Sequence, residues 1–314
     1  MAGSPTMSAL SDIADEYLAL RRSFGHDLVE AHRLLPRFVA YLDSVGEPTV
    51  TVAAALAWAQ APDVSPTSTV WSHRMMVARG FARHMAALDE RTEVPPPGLI
   101  PNHQRWRPPF VYSPEDIAAL MAETRRCRWR LPAATWETVI GLLAATGMRV
   151  GEVIGLNRDD IAWDDAVLTI STAKFGKSRN IPLLGSTMAA LADYAETRDR
   201  LCLQPSTPAF FVSMRGTRLL YQPFRLAFRR FCDLSGVGAG SSIRPRIHDV
   251  RHTFAVRTLL KWYQEDADVE ALLPTLSVYL GHEDPRSTYW YLSAVPELLA
   301  LAVTRMDLNR EVLC

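Results

Sequence analysis

The sequence predicts a mainly α-helical chain of two domains, with one small antiparallel β-hairpin inside the second. Three observations predict it. Apolar residues recur at helical spacing through the first part of the chain and again after residue 113. A dense run of prolines separates the two stretches, and a single pair of strand-like segments flanks a glycine-containing tip. At 314 residues the chain is longer than one domain usually runs.

The first domain, residues 1–91, reads as a bundle of short helices. Leu34, Leu35, Phe38, Val39 and Leu42 trace one apolar stripe, stopped by Gly46-Glu47-Pro48. Val52, Leu56 and Ala59 trace another, stopped at Ala61-Pro62, and Val77, Phe81, Met85 and Leu88 mark a longer one. Residues 92–112 hold Val94-Pro95-Pro96-Pro97-Gly98, Pro101 and Pro108-Pro109. Proline lacks an amide donor and fixes φ, so this density suits a linker, and Arg105 and Arg107 lie within it. The second domain, residues 113–314, opens on Ser113-Pro114-Glu115-Asp116. Ser113 suits a helix cap, Pro114 the first helical position, and the two acids the positive helix end. Ala166-Val167-Leu168-Thr169-Ile170 and Arg179-Asn180-Ile181-Pro182-Leu183 form the hairpin around Phe175-Gly176-Lys177-Ser178. Helical periodicity resumes from about Met188 to Leu201 and continues to the C-terminus.

Hydrophobic residues at 48% and charged residues at 22% describe an ordinary globular chain. No apolar run approaches the roughly 20 residues that span a bilayer, no secretory signal is visible, and a cytoplasmic location is expected. Cys127, Cys202, Cys232 and Cys314 are scattered, as free thiols in a reducing compartment would be. Net charge is zero, yet nine arginines between Arg215 and Arg257 face only Asp233 and Asp249. The lysines are Lys174, Lys177 and Lys261 alone. A planar guanidinium pairs with two phosphate oxygens at once, which suits a nucleic-acid partner. Codon bias could give the arginine excess but not its clustering.

Four segments carry chemistry: Ala145-Thr146-Gly147-Met148-Arg149-Val150-Gly151-Glu152, Ala173-Lys174-Phe175-Gly176-Lys177-Ser178-Arg179 with the hairpin lysine Lys174, His248-Asp249-Val250-Arg251-His252-Thr253, and Leu280-Gly281-His282 with Tyr291 nine residues on. Any one of them is a weak signal. All four in this order resemble the signature of the tyrosine recombinase (phage integrase) family, of the mobile-element type. The resemblance spans roughly residues 113–310, whereas the first domain matches only in size and helicity. It implies a SAM-like helical core DNA-binding domain followed by a catalytic domain. It further implies site-specific cleavage and rejoining of double-stranded DNA by a homotetramer, through a 3′-phosphotyrosyl intermediate.

On that resemblance, Tyr291 is the nucleophile, and Arg149 and Arg251 hold the phosphate and stabilise the pentavalent transition state. Lys174 protonates the leaving 5′-oxygen, His248 is general base or proton shuttle, and His282 donates to a phosphate oxygen. Glu152, one turn after Arg149, orients its partners without reacting. No metal or nucleotide cofactor is expected. A helix-like tail carrying Leu298, Leu299, Leu301, Val303 and Met306 either packs on its own domain or docks on a neighbouring protomer, and accessory recombinases are possible partners.

Other readings exist for each feature. Arg149 and Glu152 could be a surface i, i+3 pair, and Lys174 a solvated turn residue. His248, His252 and His282 could ligate zinc, but no H-E-x-x-H helix or nearby cysteine supports it. His252 reads better as a structural hydrogen-bonding residue. Tyr279, with Leu276 and Leu280, reads as a core face, and Tyr289 is displaced from the expected spacing. Leu292-Ser293 stands where a Thr-His pair is frequent in the family. At the level of function the rivals are a type IB topoisomerase, a catalytically silent DNA-binding protein and a metal-dependent transposase.

Overall fold

The computed structural model describes residues 9–25, 28–61, 69–100, 108–171, 178–282, 284 and 288. These form two compact units, the first up to residue 100 and the second from residue 108. Among the described residues, no helix is long and apolar enough to cross a membrane.

The first unit contains α1 (Ala9–Ser23), α2 (Val29–Val45), α3 (Val52–Ala59) and α4 (Val70–Met85). The expected stripe Leu34, Leu35, Phe38, Val39 and Leu42 is buried on α2, which ends on Gly46 at φ 72°. Its core joins Phe38 to Trp58 and sets Tyr17 edge-on to Phe81. Leu88 lies past the end of α4 and is 61% exposed, so the expected stripe stops one turn earlier, at Met85. Helix α1 went unpredicted; its buried Leu10, Ala14, Tyr17 and Leu18 are spread among charged residues, which dilutes the pattern. The first part of the proline-rich stretch is fastened to this unit. Arg79 donates to Pro95 O and Pro96 O, and the Glu93 carboxylate accepts from the Val52 amide.

The second unit contains α5 (Pro114–Thr124), α6 (Arg130–Thr146), α7 (Val150–Gly155), β1 (Ile161–Ala162), β2 (Val167–Ser171) and β3 (Ser178–Pro182). After them come α8 (Gly185–Leu201), α9 (Tyr221–Ser235), α10 (Ile247–Gln264) and α11 (Val269–Leu280). Ser113 caps α5 in a reciprocal box with Asp116, and Pro114 takes its first position. The hairpin forms one residue out of the expected frame on each strand, with Leu168 opposite Ile181. The short β1, unpredicted because two residues carry no periodicity, adds a third antiparallel strand in the order β1-β2-β3.

Helix α6 is the hub, packing on α5, α7, α8 and α10. Its apolar residues Val139, Ile140, Leu142 and Leu143 are all buried, as a hub surrounded by neighbours requires. Tyr112, at the entry to this unit, is fully buried; its hydroxyl donates to Arg246 O and its amide to Thr253 Oγ1. Burial pushes that phenol far above its ordinary pKa, so it serves as a neutral donor.

Candidate active site

Two helix ends meet in the second unit. Helix α6 stops at Gly147 (φ 62°) and α11 at Gly281 (φ 68°), both in the left-handed region that glycine adopts without steric cost. Each leaves carbonyl oxygens without a partner inside its helix. Arginines supply the partners.

Arg149 lies two residues past the α6 cap. Its Nη2 donates to Gly281 O (2.7 Å) and its Nη1 to Glu152 Oε1 (3.0 Å). Arg251, on α10 and only 3% exposed, donates from Nη1 to Gly147 O (2.9 Å) and from Nη2 to Leu280 O (2.6 Å). Arg179, on β3, donates from Nε to Tyr279 O (3.0 Å). Three consecutive carbonyls at the end of α11 are thus held by three guanidinium groups from three different elements. The negative end of the helix dipole favours these charges.

Glu152 is the counterion. Its carboxylate accepts from the Arg149 amide, from Arg149 Nη1, and from both terminal nitrogens of Arg179 (3.0 and 2.7 Å). Burial works to raise its pKa, but the Arg179 and Arg149 hydrogen bonds and charges prevail and hold it below the ordinary value. Among the described residues, this hydrogen-bonded group holds three guanidinium groups and one carboxylate. The Arg149 side chain, 40% exposed, is open to an incoming anion.

The histidines line the same place. His248 and His252 stand one turn apart on α10, rings edge-on with centroids 4.8 Å apart. His282 follows Gly281, and its Nδ1 lies 2.7 Å from the Thr288 hydroxyl. Burial first, and then the charge of Arg251, pushes His282 down to about 4. Burial and the charges of His248, Arg246 and Arg251 take His252 down to about 3. His248 keeps solvent access, yet the protein around its ring and the Arg251 charge hold it below its usual value. Near neutral pH the rings of His252 and His282 are therefore uncharged.

Arg149, Glu152, His248, Arg251 and His282 are thus brought together. Lys174 and Tyr291 lie outside the described residues. The remaining motif positions have structural duties. Asp249 is fully buried and accepts from the Arg246 amide, Nε and Nη2, while Thr253 accepts the Tyr112 amide. Tyr279 stacks on Phe254 (centroids 5.7 Å), with Leu276 and Leu280 buried beside it.

Arg179 was missed as a site residue. A signal existed: with period-two alternation it shares a strand face with the buried Ile181, and an arginine on an inward face needs a partner.

The chain matches the phage integrase family model over residues 111–297. It is 41% identical over 308 residues to the protein y4rB of Sinorhizobium fredii, which bears an integrase/recombinase name; the match covers 96% of this chain and 98% of that one. Its fold is similar to that of a Tn1549 transposon integrase in complex with transposon right end DNA. The TM-score is 0.64 at 15% identity, over 94% of this chain and 98% of that one. It is also similar to a lambda integrase tetramer bound to a Holliday junction, with TM-score 0.57 at 14% identity over 92% and 78% of the two chains.

Proposed function

Because the chain belongs to the phage integrase family and is a tyrosine-type site-specific recombinase, we propose that it cuts and rejoins duplex DNA through a bond to Tyr291. The observation that carries this reading is the cluster of guanidinium groups at the end of α11, one residue before His282 and ten before Tyr291.

In this reading Arg149 and Arg251 bind the non-bridging oxygens of the scissile phosphate and His282 donates a further hydrogen bond. Tyr291 Oη attacks phosphorus and forms the 3′-phosphotyrosyl ester, while the P–O5′ bond breaks. His248, whose low pKa keeps it neutral and able to accept, takes the phenolic proton; Lys174 gives a proton to the leaving 5′-oxygen. Rejoining reverses the step: a 5′-hydroxyl attacks the ester and the phenol leaves. The ester retains the energy of the broken linkage, so neither ATP nor a metal is needed for closure.

By the same reading residues 1–91 contact DNA, 92–112 link, and 113–314 catalyse. The working assembly is a homotetramer on DNA, with the C-terminal tail packed in cis or exchanged. The lambda integrase tetramer supports the assembly, and the transposon integrase complex supports a mobile-element role.

The test is covalent trapping on nicked duplexes made from repeated DNA ends flanking the gene, with chelator present. Wild type should give a denaturant-resistant adduct and Tyr291→Phe none, while still binding. An adduct from Tyr291→Phe but not from Tyr289→Phe would overturn the nucleophile. Equal relaxation of a supercoiled plasmid lacking these ends would indicate a topoisomerase instead.

A further inference from the structure

Arg149, Glu152, Arg179 and the last turn of α11 form a closed ring of charge-assisted hydrogen bonds. Arg149 reaches Gly281 O and Glu152; Glu152 is gripped in a two-pronged fork by Arg179; Arg179 returns to α11 at Tyr279 O. We propose that Arg179 is a positioning residue for strand cleavage, fastening Glu152 and the end of α11 to β3 so that Arg149 and His282 are held on the phosphate. The proposal rests on the reading that Tyr291 is the nucleophile and Arg149 a phosphate ligand.

Three features separate Arg179 from a phosphate contact or a surface ion pair. Its side chain is 13% exposed against 40% for Arg149, so one guanidinium faces inward and the other outward. Its three nitrogens all engage protein oxygens, with Nη1 and Nη2 each on one oxygen of the same carboxylate. Gly281 also makes room for it: a Cβ there would sit 2.8 Å from Arg179 Nη1 and 3.0 Å from Cζ. The glycine of the Leu-Gly-His turn therefore does two things, adopting φ 68° and admitting the guanidinium.

Without Arg179, Glu152 keeps, among the described residues, only Arg149 as a partner, and Tyr279 O loses the Arg179 bond. The carboxylate then draws Arg149 inward, and the last turn of α11, still held by Arg149 and Arg251, loses its tie to β3. A displacement of about 1 Å at a reacting centre costs on the order of 10²-fold in rate. Affinity for DNA, which depends on outward-facing cations, should hardly change.

The experiment measures binding and single-turnover cleavage separately, on the same nicked duplex, for Arg179→Met, Arg179→Lys, Glu152→Gln and the pair Arg179→Met/Glu152→Gln. Thermal melting confirms folding. Arg179→Met should bind within about 3-fold of wild type and cleave about 10²-fold more slowly. Arg179→Lys should recover part of the rate, since an ammonium cannot span the carboxylate and Tyr279 O together. The double variant should be no slower than the worse single one, because both break one ring. Folded Arg179→Met cleaving at the wild-type rate would refute the proposal, as would a cleavage loss matched by lost affinity or additive losses in the double variant. Should Arg179→Met fail to fold, Arg179→Lys decides: a wild-type rate refutes and an intermediate one supports. An adduct retained by Tyr291→Phe sinks the nucleophile assignment whatever the Arg179 variants do.

Discussion

Helices α6 and α11 both stop on a left-handed glycine, and both give a terminal carbonyl to the guanidinium of Arg251. Beyond that they are secured by different forces. A Cβ at Gly147 would lie 2.5 Å from Cδ1 and 3.1 Å from Cβ of Phe254, a ring stacked on Tyr279. A Cβ at Gly281 would meet the tip of Arg179, a long side chain that can move. The end of α6 is fixed by packing and that of α11 by charge. In the proposed reaction the first arrangement serves stability and the second the geometry of the chemistry.

Arg251 serves both ends, so its removal should have the largest effect. In Arg251→Ala, two helix-end carbonyls lose their Arg251 bond and, in the proposed reaction, the phosphate loses a cation; cleavage should fall about 10³-fold, measured in single turnover. Equal activity in Arg251→Lys would show that charge alone suffices and that the two-carbonyl span is incidental.

Gly147→Ala tests the packed end. Backbone strain and the clash with Phe254 should together cost about 3 kcal/mol of stability, read from urea denaturation. Adding Phe254→Leu should return part of it, and no return would break the assignment to packing. Gly281→Ala tests the charged end. Its strain should cost only about 1 kcal/mol, but displacement of Arg179 should slow cleavage at least about 10-fold. A fully active Gly281→Ala would erase the distinction between the two ends.

A further test is of pH. The folded protein holds His282 at about 4 and His252 at about 3, both below the ordinary 6.5. Between those values the unfolded chain binds protons that the folded one refuses, so stability falls as pH drops from about 6.5 toward 4. Glu152 adds in the same direction at the acid end. Its depressed pKa gives stability present above the usual carboxylate value and lost as pH falls through the folded one. Urea midpoints at pH 7 and pH 5 should differ, and less so for His282→Gln; an unchanged difference would remove His282 from the account.

Much of this was legible in the sequence because it is local. The cap at Ser113, the stop at Gly46 and the spacing of Arg149 from Glu152 are written within a few residues. The role of Arg179 was not, since its partners lie 27 and 100 residues away and only the fold brings them together. Helix α1 was obscured by charges in its stripe, and β1 by its brevity.

The carbonyl anchors have a thermodynamic corollary. Immobilising an arginine sacrifices up to about 2 kcal/mol of rotamer entropy, and here that loss is incurred as the chain folds, before any ligand arrives. In the proposed reaction DNA meets a socket whose cations are already stationary. Slackening the end of α11 should therefore surface as a sluggish chemical step on a complex that still forms readily.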